Sequence, residues 1–286
     1  MDRQTVTRSP VRRALRRLRR NRMAVIGAAI VGLAALAAAL GPSLSAYHYN
    51  DQHADRRHEP PSPLHWLGTD DLGRDLLARL LYGARISLSI GLAATVVSLA
   101  VGVTYGATAG YVGGRVDGLM MRAVDILYGL PYMLFVILLM MYVGQNLLAL
   151  FVALGAVQWL TMARIVRAQV LSLKEKQYVE AARAVGAGGA RILFLHIVPN
   201  LLGPVIVYAT LNVPAVMLQE AFLSFLGLGV RDPIPSWGTL VRDGAAAMEV
   251  YWWLMVFPGA AFAVTLLGLN FLGDGLRDAL DPQSAP

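Results

Sequence analysis

The sequence predicts an all-α integral membrane protein with six transmembrane helices, and three observations carry that prediction. Hydrophobic residues make up 56% of the 286 and only 15% are charged, with a mean hydropathy of +0.54, so the bilayer must serve as part of the solvent. Six uncharged apolar runs stand apart, each long enough for a hydrocarbon core about 30 Å thick. Lysine and arginine are also unevenly shared among the segments that join them.

The chain opens with a basic arm over 1–22, in which Arg12, Arg13, Arg16, Arg17, Arg19, Arg20 and Arg22 directly precede an apolar run. Such a juxtamembrane cluster meets anionic headgroups and fixes orientation, so the net charge of +7 does not call for nucleic acid. The run 23–44 lacks a small-x-small cleavage site and is expected to be a retained anchor helix. Residues 45–85 form an extracytoplasmic loop in which Pro60, Pro61 and Pro63 break structure. There Leu72, Leu76, Leu77 and Leu80 predict an amphipathic helix lying on the membrane. His48, His53, His58 and His65 share this loop with Asp51, Asp55 and Glu59. Their spacing matches no metal-ligand motif, and a solvated loop is expected.

A five-helix core follows over 86–275. Its runs are 86–109, 126–143 with Pro131 able to kink it, 147–163 after a hairpin at Gln145 and Asn146, 197–219, and 250–273. The tail is 276–286. Trp237, Trp252 and Trp253 are expected in the interfacial belt. Asp125 and Glu220 adjoin apolar runs, where an ionisable group faces protein, a water-filled path or the interface. No internal repeat is evident.

Six spans put both termini on one side, and charge selects the side. With a cytoplasmic N-terminus, the inner segments hold eighteen of the 25 basic residues: nine arginines of the arm, Arg115, Arg122, Arg164, Arg167, Lys174, Lys176, Arg183, Arg191 and Arg277. Seven remain outside. The positive-inside rule therefore places the 164–196 loop in the cytoplasm.

That loop contains LSLKEKQYVEAARAVGAGGARILFLHIVPN (171–200), too charged for lipid, where each such group costs about 2.5 to 3.5 kcal/mol at mid-membrane. At helical period Tyr178, Ala181, Ala182 and Val185 form one stripe of mostly small residues, while Lys176, Glu180 and Arg183 line another face. Gly186, Gly188 and Gly189 end the helix before the next apolar run. A short amphipathic helix, a bend and a second helix result.

The order Glu180-Ala181-Ala182, three residues, Gly186, and Pro199 after a spacer resembles the EAA loop of ABC importer permeases. His196 and Val198 replace the Ile and Leu of the general tail, and HIVPN resembles the dipeptide and oligopeptide branch. Further stretches extend the resemblance: GTDDLGRDLLARLLYGARISL (68–88), AGYVGGRVDGLMMRAVDILYGLP (109–131), EAFLSFLGLGV (220–230), PSWGTLV (235–241) and NFLGDGLRDALDP (270–282). Permeases of nickel importers look closely similar. The resemblance implies a type I ABC importer permease fold in which Tyr178, Glu180, Ala181, Ala182, Val185 and Gly186 belong to a cytoplasmic coupling helix. His196, Pro199 and Asn200 would form the tail of the loop. It also implies a second permease subunit, two ATPase subunits and an extracytoplasmic substrate-binding protein as partners, with di- or oligopeptides, nickel or another small solute as cargo. No cofactor is expected in this chain, because the partner ATPases would bind the ATP.

Enzymatic motifs are missing. GAGGARIL lacks the Lys and hydroxyl of a phosphate-binding loop, and neither HExxH nor GxSxG occurs. The absence of cysteine removes thiol chemistry. A secondary transporter would need a mid-membrane ion site and an inverted repeat, and an intramembrane protease a Ser/His or paired-Asp set at membrane depth.

Overall fold

The computed structural model describes residues 10–144 and 146–280. The first nine residues of the arm, Gln145 of the expected hairpin and the last six of the tail lie outside the described residues. The helices are α1 (Pro10–Arg20), α2 (Arg22–Leu44), α3 (Leu76–Val112), α4 (Gly114–Tyr128), α5 (Tyr132–Val143), α6 (Leu147–Leu173), α7 (Gln177–Ala184), α8 (Gly189–Arg191), α9 (Val198–Phe225), α10 (Trp237–Ala247) and α11 (Trp253–Leu280). Five of them are long and apolar enough to cross a membrane singly, and α4 with α5 form a pair bent by 80°.

Glycines set the central seam. A Cβ on Gly102, Gly106 or Gly110 of α3 would meet Met162, Ala163, or Arg167 and Val170 of α6, at 2.3 Å from the Ala163 carbonyl oxygen in the case of Gly106. Small residues four apart let two backbones approach within a membrane, where packing rather than the hydrophobic effect joins helices. Positions rise together along this seam, so α3 and α6 run parallel. The end of α3 and the start of α6 therefore lie at opposite ends of the bundle. The α4–α5 pair has to carry the chain back across it, and the bent pair is a sixth crossing.

Antiparallel contacts complete the bundle. Ala24 of α2 lies against Gly275 of α11, and Gly27 against Gly268 and Leu272, so both ends of the described chain share one end of the bundle. Pro42 lacks the N–H that would bond Ala38 within α2. Arg85 of α3 supplies the donor instead, from Nε to the Ala38 carbonyl at 3.0 Å and from Nη2 to Ala39 at 2.9 Å.

Several expectations are corrected. The separate membrane-lying helix of Leu72, Leu76, Leu77 and Leu80 does not form: Asp75 caps Ala78 N at 2.8 Å, and one helix runs unbroken from Leu76 to Val112. Gly83 is tolerated inside it because α10 packs there, with Leu240 next to its missing Cβ. The 45–75 segment is solvated only in part: His48 and His53 are exposed and His58 is half-buried, but the stretch from His65 to Asp75 folds in. His65 is fully buried, its Nδ1 2.9 Å from Asp75 Oδ2, and Thr69 ties Glu59 N and Arg56 O together. Of the three tryptophans expected in the belt, Trp237 and Trp253 are buried core residues and Trp252 is exposed. The Trp237 indole reaches the Leu80 carbonyl at 3.0 Å.

Candidate coupling site

At the end of the bundle that holds α1 and the end of α11, α6 stops at Leu173 and the chain turns into α7. Lys174 anchors the turn by donating from Nζ to the Gly110 carbonyl at 3.1 Å. Two turns back, Arg167 makes a two-pronged pair with Asp117 of α4, at 2.5 and 2.6 Å.

The C-terminus of α7 is closed by a Schellman motif. Gly186 has φ +82°, its N–H bonds Arg183 O at 2.9 Å, and Ala187 N–H bonds Ala182 O at 3.0 Å. A left-handed residue is required there, and glycine adopts it without a Cβ clash. The glycine bend of the sequence reading is thus a helix stop with defined geometry.

Val179 and Ala182 hold α7 to the bundle, buried among Val166, Val170, Ile192, Leu193 and Ile197. Tyr178, Ala181 and Val185 turn outward, and with Gly186, Arg191 and His196 they border an open concavity of about 570 Å³. Ala182 lines its floor but is only 8% exposed, so the periodic stripe is divided between a packing edge and a free edge. Val179, which completes the packing edge, did not stand out in a helix rich in alanine. Glu180 is exposed, and among the described residues it makes no ion pair with Arg183.

Beyond α8 the helix widens. Residues Ile192–Ile197 are π-helical, with Val198 N–H reaching Leu193 O. Pro199 gives the reason, since a proline removes the N–H and crowds the carbonyl four residues back. Asn200 Nδ2 then donates to the His196 carbonyl at 2.7 Å. In HIVPN, Pro199 opens the turn, Asn200 restores a donor to it, and the half-buried His196 side chain faces the concavity.

The two singled-out carboxylates part company. Asp125 is exposed and pairs with Arg164 at 2.7 Å. Glu220 is wholly buried and accepts from Ser236 at 2.7 Å, Ser224 at 2.8 Å and Ser87 at 3.4 Å. Ser87 also accepts the Trp237 N–H at 2.9 Å, and Ser236 caps α10. Glu220 therefore fastens α3, α9 and α10 together at the other end of the bundle, and its carboxylate does not reach water. Gly229 allows the close turn, because a Cβ there would sit 2.1 Å from Ser224 Oγ. The same end carries a charged knot. Asp70 accepts from Leu72 N, Arg74 N and Arg74 Nε at 2.9, 2.9 and 2.6 Å, which accounts for the GTDDLGRD stretch. Among the described residues no group of three or more His, Asp or Glu is placed to hold a metal ion.

A short charged helix, stopped by glycine, thus hangs between two spans and presents a concave outer edge. The family model described as "Binding-protein-dependent transport system inner membrane component" matches residues 102–285. The chain belongs to that family. The model for the "N-terminal TM domain of oligopeptide transport permease C" matches residues 9–61. The oligopeptide transport system permease protein OppC of Escherichia coli K12 is 53% identical over 94% of this chain and 90% of its own length. The Bacillus subtilis 168 OppC is 47% identical over 94% and 88%, and the B. subtilis dipeptide transport system permease protein DppC is 46% identical over 94% and 85%. The chain is therefore an OppC/DppC-type ABC importer permease, a multi-pass inner-membrane subunit and not an ATPase.

Proposed function

We infer that this permease forms one membrane half of an importer for di- and oligopeptides, and that the concavity beside α7 receives an element of a cytoplasmic ATPase subunit. The observation that supports this most is the free edge formed by Tyr178, Ala181 and Val185, held away from the bundle by Val179 and Ala182. Peptide as cargo rests on the relatives, which are named for oligopeptide and dipeptide transport. A second permease, two ATPase subunits and an extracytoplasmic binding protein complete the assembly.

The α7 end faces the cytoplasm in this reading, because it gathers α1, Arg167, Lys174, Arg183 and Arg191. The Glu220 end and the folded 45–75 cap then face outward, where a loaded binding protein would dock. ATPase closure would push α7 as a rigid lever on α9 through the Ile192–Ile197 turn, exposing the path to alternate sides. Gly186, His196, Pro199 and Asn200 shape this lever, and Glu180 meets the ATPase at its rim.

Reconstitution tests it. Proteoliposomes with all subunits should take up radiolabelled trialanine only with ATP and binding protein present. Equal uptake without ATP would refute the reading.

A further inference from the structure

The break between α4 and α5, at Gly129, Leu130 and Pro131, falls part-way along the bent crossing. Irregular backbone within a crossing survives only where protein covers it or where it lines a watered cavity. Here it borders a cleft of about 280 Å³ between this break, α6 and α9. The polar groups of the cleft are Tyr128, Tyr132, Gln158, Thr161 and Gln219, and no charged side chain lines it.

Their arrangement is specific. Gln158 Nε2 donates to Gln219 Oε1 at 2.9 Å across α6 and α9. A paired amide uses one donor and one acceptor, and the two side chains together keep three carbonyl lone pairs and three N–H groups for other partners. Exchanging both amide orientations leaves the same set. Tyr128 and Thr161 share a hydroxyl bond of 2.8 Å. Tyr132 Oη is buried and has no hydrogen-bond partner among the described residues. Neutral donors and acceptors in apolar surroundings complement a peptide unit, which offers one N–H and one C=O. They suit a bare metal cation or an isolated charge poorly.

We propose that Gln158 and Gln219, with Tyr132 and Thr161, form a transit site that holds the main chain of a peptide, whatever its side chains, as it passes between α4–α5 and α9. The site rests on the peptide-importer reading and deepens it. Its volume lies at the small end of ligand sites, so it grips a short segment and not a whole oligopeptide. Main-chain recognition leaves side-chain selectivity to other parts of the transporter.

The test uses the complete transporter in proteoliposomes, with binding protein preloaded with trialanine or with trialanine methylated on its amide nitrogens. The wild type should favour the unmethylated peptide. The Gln158→Leu/Gln219→Leu variant should lose about tenfold in trialanine uptake, the effect of two hydrogen bonds, and should lose that preference with it. Because the chain has no cysteine, Val157→Cys, which lines the cleft, places a single thiol there. Its maleimide labelling should slow when the transporter is trapped with ATP, vanadate and loaded binding protein, compared with unloaded. That comparison keeps both glutamines and decides the matter even if the double variant fails to assemble. A wild type that moves no trialanine would sink the peptide-importer reading itself. Trialanine transport with an unchanged methylation preference in the double variant would overturn the transit site alone. Identical Val157→Cys labelling in both states would do the same, as would a thiol masked throughout by the second permease.

Discussion

Asp117 and Arg167, fifty residues apart in the chain, form a two-pronged ion pair at 2.5 and 2.6 Å that joins α4 to α6 close to α7. Parallel N–H···O bonds to a carboxylate fix geometry as well as supplying energy. The pair holds the α7 end of the bent crossing against the helix that leads into α7. Asp117→Ala and Arg167→Ala should each lower the unfolding stability of the purified transporter by about 1.5 to 3 kcal/mol, the range for hydrogen bonds to charged groups. The double variant should lose little more than either single one. Thermal unfolding of the four proteins checks this, and additive losses would show that the two groups act separately.

The α3–α6 seam predicts a sharp contrast between glycines. Gly106→Leu drives a side chain into the Ala163 backbone and should abolish accumulation of folded protein. Gly32→Ala, with nothing within 4 Å of its added Cβ, should be neutral or slightly stabilising. Size-exclusion profiles of the two variants are the measurement.

Glu220 is predicted to matter for assembly. Glu220→Gln keeps an acceptor for the serine hydroxyls and should fold, whereas Glu220→Leu leaves Ser87, Ser224 and Ser236 without their partner. Each unsatisfied buried group costs about 1 to 3 kcal/mol. Yield of folded transporter should follow that order, with transport per folded molecule nearly unchanged in Glu220→Gln. A Glu220→Gln variant that folds normally and transports nothing would make the carboxylate part of the path instead.

Orientation is open to single-cysteine labelling. Gln52 and Ala246 are exposed at the Glu220 end and Gln177 at the α7 end. Cysteines at the first two should react with an impermeant maleimide on intact cells, and one at Gln177 should react only after lysis. Labelling at Gln177 from outside would reverse the topology.

What could be read from the sequence was whatever depends on local pattern. The apolar runs located the spans, Pro131 marked the break in α4–α5, and Gly186 marked the end of α7. What escaped depends on partners distant in the chain. His65 looked solvated because Asp75, which buries it, lies ten residues on across a folded turn. Trp237 and Trp253 carried the composition of belt residues, yet α10 folds back on α3 and encloses Trp237, and Trp253 packs against Gly68. Ala182 fell on the right helical face, but an alanine-rich helix does not reveal that Val179 defines the packing edge. The Gln158–Gln219 pair carries no sequence signal, since it joins helices sixty-one residues apart.

Gly186→Val should separate local strain from contact. Its φ of +82° disfavours a β-branched residue, and no atom of this chain lies within 4 Å of the missing Cβ, so any loss of stability in the chain itself arises from the stop of α7. Transport should fall while the protein still inserts and loaded binding protein still docks.

The most direct test of coupling uses the free edge of α7. Ala182→Trp would disturb the packing beneath the concavity, but Ala181 points outward and can be enlarged without touching the bundle. ATPase co-purification and ATP-dependent trialanine uptake should be measured together for Ala181→Trp, with Glu180→Ala as a comparison expected to be mild, because an exposed charge contributes about 0 to 1 kcal/mol. The account predicts that Ala181→Trp inserts and folds normally and loses both ATPase association and uptake. Full association with full uptake would contradict it and show that the ATPase docks elsewhere.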